Sequence, residues 1–363
     1  MLSKSAVVAI IAFLTLALTL FPGAYATSGQ WAKYAANPVL IPTPGSWDAD
    51  YVTTPRVIYD GTIYRMWYQG GFSGVSRIGY ATSSDGINWV KHGVVLSPGQ
   101  AGDWDSSSIG LGSVVWNGTA YLMWYTGTNG VTFPGGAIGF AVSGDGVNWV
   151  KYSNNPVLTP SALGNDDKYM AAPYVIRLHL TYNMWYTGKS SAEPNVNRII
   201  YATSFDGINW TKWPSPVLTP PSDPTAWDAN GVYSSSVVWN GRMFGAWFSG
   251  INQTGLVPRI GFATSLDGAA WNPSPNNPIL VPGPSGTWDS AGVEQPSVVE
   301  QGNSYMMFYD GYSNQQGQRI GLALSPEGFA VPEFPMPTVQ LLLGLTICSS
   351  AYSILRRRTK KQN

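Results

Sequence analysis

The chain has 363 residues, and its 20 basic and 20 acidic side chains leave no net charge. Charged residues make up 11% of the chain, well below the roughly 25% of ordinary soluble domains. Lys and Arg cluster only in the last eight residues, which argues against a nucleic-acid partner. The single Cys excludes an internal disulfide, and two His residues are too few for a Cys/His zinc site, so we expect no metal and no cofactor.

The first 26 residues have the pattern of a secretory signal peptide. Lys4 supplies the charged start, an apolar run follows to Leu20, and Ala24-Tyr25-Ala26 matches a small-residue cleavage site. The alternative is an uncleaved N-terminal anchor, although the apolar run is short for a membrane span. We predict an exported protein whose mature chain begins at residue 27.

Residues 27–331 contain five copies of one unit of about 61 residues. Four units open with Trp-Asp. Asp-Gly and Asn-Gly dipeptides, which suit tight hairpin turns, lie before and after the central strands. Each unit has a Met-Trp-Tyr-like strand, with the central residues Trp67, Trp124, Trp185, Trp247 and Phe308. Four short strands per unit, apolar on both faces, predict an all-β fold: a five-bladed β-propeller of four-stranded blades.

The register of the repeat also predicts how the ring closes. The last unit ends near Phe329 without a fourth strand. The chain has a spare copy of that strand at its other end, because Trp31-Ala32-Lys33-Tyr34 resembles the fourth strand that starts at Trp149. The N-terminal strand should therefore complete the last blade and remove a free sheet edge.

Comparison of the five units separates scaffold residues from candidate site residues. A residue present in every unit has a role in every blade, so we interpret the Trp-Asp pairs, the Asp-Gly turns and the Met-Trp-Tyr strands as scaffold. Along the innermost strand, which lines the central channel, one aligned column reads Thr53, Gly110, Ala171, Tyr233 and Glu294. Glu294 is its one carboxylate and our candidate for a general acid with a raised pKa. The alternative is an ion pair with Arg56 that closes the ring.

Other candidate residues lie near the starts of the inner strands. Asp50 and Asp167 are candidates for a second carboxylate, and the alternative for each is a solvated loop aspartate. Aromatic rings can stack on the apolar face of a sugar, although core packing explains the tyrosines equally well. The residues expected to line a sugar site are Tyr51, Arg56, Tyr169 and Tyr233.

The C-terminal end is predicted to hold the protein at a membrane. A short Pro-rich linker at 332–336 leads to an uncharged segment at 337–355, just long enough to cross a bilayer. The basic tail at 356–363 then fits the positive-inside rule. The motif from Val331 to Pro335 resembles the PEF-type sorting tail of archaeal surface proteins. That resemblance implies display on the extracellular face of the cell membrane, held by the helix or by a lipid that a sorting enzyme attaches.

The repeat units resemble the five-bladed propeller glycosidases, the superfamily of arabinanases, xylosidases, fructosidases and mannoside phosphorylases. The likeness covers about 300 residues and is carried by Trp-Asp and by segments such as Tyr64 to Tyr68 and Asp85 to Trp89. It implies carboxylates on different inner strands, one protonating the leaving oxygen and another activating water or attacking the sugar. Val293-Glu294-Gln295-Pro296 is similar to the acid motif of those enzymes, whereas Thr53 stands where the partner aspartate is expected.

Two functions follow from the sequence, and it does not decide between them. One is a glycoside-hydrolase-like enzyme for extracellular polysaccharide or oligosaccharide, with Glu294 as acid and Asp50 as base. The other is a non-catalytic surface module that binds glycan or protein. The asymmetric carboxylate and aromatic residues favour the first, and the missing inner-strand aspartate favours the second. In both cases we expect a monomer whose partners are a glycan and the membrane.

Overall fold

The structure is a computed structural model that describes residues 31–131, 135–162, 164–301 and 304–325. The predicted signal peptide at 1–26 and the predicted linker, span and tail at 332–363 lie outside the described residues. Across the described ranges, no helix has the length and apolar character needed to cross a membrane.

The described residues include twenty β-strands, which form five antiparallel sheets of four strands; these sheets are the five blades. The N-terminal strand β1 (Ala32–Lys33) belongs to blade 5. Blade 1 comprises β2 (Tyr51–Tyr59), β3 (Tyr64–Phe72), β4 (Val75–Ser83) and β5 (Val90–Leu96). Blade 2 comprises β6 (Ser108–Trp116), β7 (Tyr121–Thr128), β8 (Ala137–Ser143) and β9 (Val150–Lys151). Blade 3 comprises β10 (Tyr169–Leu178), β11 (Thr181–Lys189), β12 (Arg198–Ser204) and β13 (Thr211–Lys212). Blade 4 comprises β14 (Gly231–Trp239), β15 (Phe244–Ile251), β16 (Pro258–Ser265) and β17 (Trp271–Pro273). Blade 5 adds β18 (Gly292–Gln301), β19 (Ser304–Ser313) and β20 (Gln316–Leu324) to β1.

The ring closes as the repeat predicted. The first strands of the blades, β2, β6, β10, β14 and β18, contact one another around the channel. β1 pairs with β20, with Ala32 opposite Leu324 and Lys33 opposite Ala323, so the N-terminal strand completes blade 5. The start of β1 and the end of β20 therefore lie together, at the end of blade 5 remote from the start of β18.

The core lies between the blades, which explains why both faces of each sheet are apolar. On one face, the central tryptophan of a blade donates its indole N–H, at 2.8 Å, to the Asp-Gly turn of the next blade. These bonds join Trp67 to Gly146, Trp124 to Gly207 and Trp185 to Gly268. On the other face the flanking Met and Tyr are equally buried, as Met66 and Tyr68 are in blade 1. The Met-Trp-Tyr strands and Asp-Gly turns are therefore scaffold, as predicted.

The Trp-Asp aspartates anchor the outer strands. In four blades the buried carboxylate binds a lysine of the fourth strand at 2.5 or 2.6 Å. The pairs are Asp48–Lys91, Asp105–Lys151, Asp166–Lys212 and Asp289–Lys33. A tyrosine of the second strand also donates to the carboxylate, as Tyr186 does to Asp166 at 2.7 Å. The scaffold interpretation of these aspartates is confirmed.

Blade 4 keeps the aspartate, Asp228, without either partner. Phe248 stands where the other blades have the tyrosine, and Pro273, opposite Ala263, stands where they have the lysine. Burial raises the pKa of Asp228. Its ionisation therefore opposes folding.

We expect Asp228→Asn to stabilise the protein by about 0.5–1 kcal/mol at neutral pH. The matched variant Asp105→Asn should destabilise it by about 1–3 kcal/mol, because Lys151 loses its charged partner. Because burial raises the folded pKa of Asp228 above the ordinary 3.8, the gain should be absent below pH 3.8, grow as pH rises above it, and reach its full size once pH exceeds the raised pKa. Urea unfolding at acid and neutral pH measures both effects, and destabilisation by Asp228→Asn would contradict this account.

Candidate active site

A cavity of about 410 Å³ opens at the end of the channel where the inner strands begin. This volume falls in the range of small-molecule sites, roughly 300–1,000 Å³. Two tyrosines, Tyr51 and Tyr169, and three amides, Gln69, Gln295 and Gln318, stand out among its lining residues. Among the described residues that form the wall, none carries a charge. The cavity therefore suits a ligand rich in hydroxyl groups with apolar ring faces.

A β-bulge interrupts each inner strand beside this cavity. In four blades the bulge holds a non-glycine residue with φ between 47° and 55°, a left-handed conformation that costs energy. These residues are Thr54, Ala172, Ser234 and Gln295. Bulges of this kind change the direction of neighbouring side chains, here those of the column that contains Glu294.

Each left-handed bulge residue donates its N–H to the second strand of the preceding blade. In three blades the acceptor is a hydroxyl, at 2.9 or 3.0 Å: Thr126, Thr187 or Ser249. In blade 1 the acceptor is instead the carboxyl group of Asp310, 2.8 Å from the Thr54 nitrogen. A hydroxyl is sufficient for this contact, so the fold does not require a charged group at position 310.

Asp310 is fully buried and lies directly opposite Glu294 in the β18–β19 ladder. Side chains of opposed residues project from the same face of a sheet, so the two carboxyl groups are neighbours. The hydroxyl of Thr53 also donates to Asp310. Sequence reasoning assigned Thr53 to the place of the missing aspartate, and the structure brings the Asp310 carboxylate to that place from the second strand.

Glu294 is half-buried, and two neighbours donate hydrogen bonds to it. The Tyr233 hydroxyl lies 2.6 Å from one carboxylate oxygen, and the Gln318 amide lies 3.3 Å from the other. Burial raises the pKa of Glu294. Burial and then the charge of Glu294 raise the pKa of Asp310 further, well above its ordinary value. Both shifts favour the protonated form of the carboxyl group concerned.

Arg56 is buried and is not in the cavity wall. It is 3% exposed and donates to the backbone carbonyls of Gly112 and Pro296. Its guanidinium also lies 5.5 Å from the ring centre of Tyr174. Within the described part of the chain it forms no ion pair with Glu294, so the predicted ring-closing pair is absent. Burial lowers the pKa of Arg56 to about 10, which leaves it charged and joined to several blades.

The remaining predicted site residues separate into two groups. Tyr51 and Tyr169 line the cavity, as expected of residues that contact a sugar, whereas Tyr233 contacts Glu294. Asp50 is exposed, and its carboxylate accepts the Ser73 N–H at 2.8 Å outside the cavity wall. Asp167 accepts the Ser191 N–H at 2.7 Å in the same way. The carboxyl group that the structure places beside Glu294 is that of Asp310, and sequence reasoning paired Glu294 with Asp50.

Two site residues, Asp310 and Gln318, were missed because the comparison of units was limited to the innermost strands. The same test on the second strands finds the first, since that column reads Gln69, Thr126, Thr187, Ser249 and Asp310. Among the described residues no group of three His, Cys, Asp or Glu side chains is placed to hold a metal ion.

Comparison with known proteins agrees with this architecture. Residues 56–216 match the family model described as the glycosyl hydrolases family 32 N-terminal domain. The uncharacterized protein MT1551 of Mycobacterium tuberculosis is 31% identical over 272 residues, which cover 69% of this chain and 85% of that protein. A beta-1,2-mannobiose phosphorylase of Thermoanaerobacter sp. is 26% identical over 247 residues, which cover 63% of this chain and 74% of the enzyme.

Solved structures share the fold at low identity. A glycoside hydrolase superposes with a TM-score of 0.69 at 18% identity, over 86% of this chain and 97% of that one. The beta-1,2-mannobiose phosphorylase from Listeria innocua superposes with a TM-score of 0.63 at 14% identity, over 81% and 96%. The chain therefore belongs to one family with the mycobacterial protein, and its fold is the five-bladed propeller of the glycoside hydrolases.

Proposed function

We propose that the protein binds a saccharide in the cavity and hydrolyses its glycosidic bond, with Glu294 donating the proton to the leaving oxygen. The observation that carries this proposal is the pairing of Glu294 with the buried Asp310 at the edge of a neutral, tyrosine-bearing cavity. A carboxylic acid with a raised pKa is the group that protonates a leaving oxygen in glycosidases. The propeller fold that the chain shares with glycoside hydrolases also supports a carbohydrate-active function.

The contacts of Glu294 suit both states of a proton donor. Burial favours the protonated form before the reaction. After donation, the Tyr233 hydroxyl and the Gln318 amide donate hydrogen bonds to the carboxylate that forms. The cavity amides and the exposed face of Tyr169 supply sugar contacts that need no charge.

We propose water as the attacking group. A phosphate nucleophile needs cationic donors close to the reacting bond. The described residues of the cavity wall include none. Hydrolysis therefore fits this wall better than transfer of the sugar to phosphate.

A second candidate, a glycan-binding module without catalysis, is favoured by one observation. Among the described residues the cavity wall contains no carboxyl group, because Asp310 is fully buried and Glu294 lies beside the wall residue Gln318. The usual mechanism needs two reachable carboxyl groups. Binding without cleavage is the expected result if one group is insufficient.

The test is incubation of the full-length protein with a panel of plant, microbial and surface-layer polysaccharides, with and without inorganic phosphate. Hydrolysis predicts phosphate-independent release of reducing ends. Retention of a polysaccharide without release would support the binding module instead. Neither release nor retention for any member of the panel would contradict both functions.

We also propose that the protein is exported and held at the cell surface by its C-terminal segment. The uncharged segment at 337–355 and the basic tail that follows it support this anchor. Deletion of residues 332–363 should move the protein from the membrane fraction to the soluble one. Unchanged membrane association would contradict the proposed anchor.

A further inference from the structure

We propose that Lys168 and Lys189 form an anion-recognising subsite at the edge of the cavity, so that the preferred ligand is an acidic glycan. The group recognised is a uronic-acid carboxylate or a sulfate ester on the sugar. This inference rests on the proposed function, because it names the class of glycan that the cavity receives.

The lysines of the propeller divide sharply by their contacts. Residues 27–331 contain six lysines, and four of them bind the buried Trp-Asp aspartates. The other two are Lys168 and Lys189. Within the described ranges neither of these forms an ion pair, and the nearby Asp167 carboxylate binds the Ser191 N–H. The repeat scaffold therefore accounts for four lysines, and within the described residues the other two have no ion-pair partner.

Both lysines flank a residue of the cavity wall. Lys189 ends β11 directly opposite Tyr169, and its ammonium lies 5.3 Å from the centre of that ring. Lys168 precedes Tyr169 in the chain, and its N–H donates to the Lys189 carbonyl at 3.1 Å. Tyr169 lines the cavity and is 37% exposed. A sugar in contact with Tyr169 would therefore have both ammonium groups within reach of its substituents.

The charges at this edge favour an anion. The propeller region has 14 basic and 19 acidic side chains. Because the region is acidic overall, two neighbouring lysines without an ion pair do not simply reflect a basic surface. Burial, and then the positive charge of Lys168, lower the pKa of Lys189. The two ammonium groups repel each other, and a bound anion would reduce that repulsion. A carboxylate or sulfate accepts charge-assisted hydrogen bonds from ammonium groups, which are about twice as strong as neutral ones.

The experiment measures binding to matched pairs of oligosaccharides at low and high salt. The probes are oligogalacturonides and oligoglucuronides beside their carboxyl-reduced forms, sulfated galactan oligosaccharides beside their desulfated forms, and inorganic phosphate alone. The proteins are the full-length wild type, the double variant Lys168→Met/Lys189→Met, and Arg242→Met. Arg242 is an exposed arginine in the β14–β15 turn at the opposite end of the inner strand, so its variant controls for loss of charge.

We expect at least one acidic probe to bind about tenfold more tightly than its neutral partner at low salt. The double variant and high salt should both abolish that preference, while Arg242→Met keeps it. The carboxylate and sulfate pairs identify which anion is recognised.

Equal or tighter binding of the neutral partners, or a preference that survives in the double variant, would overturn the subsite but leave the proposed function intact. Lysine-dependent binding of phosphate without any preference for acidic glycans would also overturn it. Absence of binding to every saccharide would instead overturn the proposed function and this inference together.

Discussion

Glu294→Gln is expected to lower the rate of glycan cleavage by about 10²–10⁴-fold, the usual contribution of a general acid. Glutamine keeps the shape and accepts the Tyr233 hydrogen bond, but it has no proton to give to the leaving oxygen. Saccharide binding and the melting transition should therefore change little. Reducing-end release from the best substrate of the panel, measured beside a pulldown with the same glycan, checks both expectations.

The pH dependence of cleavage is a second test of Glu294 as the proton donor. Because burial raises the pKa of Glu294, the protonated form persists above the ordinary value of 4.5. Cleavage by the wild type should fall as pH rises through the raised pKa, since the proton donor is lost. The residual activity of Glu294→Gln should lack that alkaline fall.

Asp50→Asn is the matched control for Glu294→Gln. Its carboxylate accepts one backbone N–H outside the cavity, and an amide oxygen can accept the same bond. We expect cleavage to be almost unchanged in this variant. Loss of activity comparable with that of Glu294→Gln would make Asp50 the second catalytic carboxylate, as sequence reasoning proposed, and would contradict the arrangement described above.

Arg56→Met is expected to destabilise the protein by about 3–5 kcal/mol, since each buried carbonyl that loses its donor costs about 1–3 kcal/mol. Arg56 donates to carbonyls of blades 2 and 5 and places its positive charge near Asp310. Methionine fills similar volume but leaves these carbonyls without donors and the carboxyl pair without a nearby cation. Urea denaturation of the two proteins gives the difference in the free energy of unfolding.

The control for Arg56→Met is Arg177→Met. Arg177 also lies against an aromatic ring, 5.7 Å from the centre of Tyr182, but it is exposed. Its replacement should cost no more than about 1 kcal/mol. Equally small effects at both positions would show that Arg56 does not hold the blades together.

Much of the fold was predictable because a propeller repeats one local pattern. Each blade buries both faces against its neighbours, so Met66-Trp67-Tyr68 and its copies mark every blade. The spare strand at residues 31–34 revealed the ring closure for the same reason, since it has the sequence of a fourth strand and no unit of its own. Glu294 was found because the alignment of units exposed a single carboxylate in one column.

The position of Arg56 was not predictable from that alignment. Its column contains Ser113, Ser236 and Ser297, and these serines accept backbone N–H groups of the next blade. The sequence shows only that a cation replaces a hydroxyl there. Only the packing between blades shows that this cation is buried and lies outside the cavity wall.

The sequence by itself therefore determined the five blades, their closure and the scaffold role of the aspartates, and it made Glu294 a candidate. Only the tertiary structure decided which carboxyl group accompanies Glu294. The partner, Asp310, is set by the strand register of blade 5, and its contact with Thr54 joins residues 256 positions apart across the closure of the ring. A local pattern carries no information on such a contact, because it depends on the twist and bulges of two separate sheets brought together by the packing between blades.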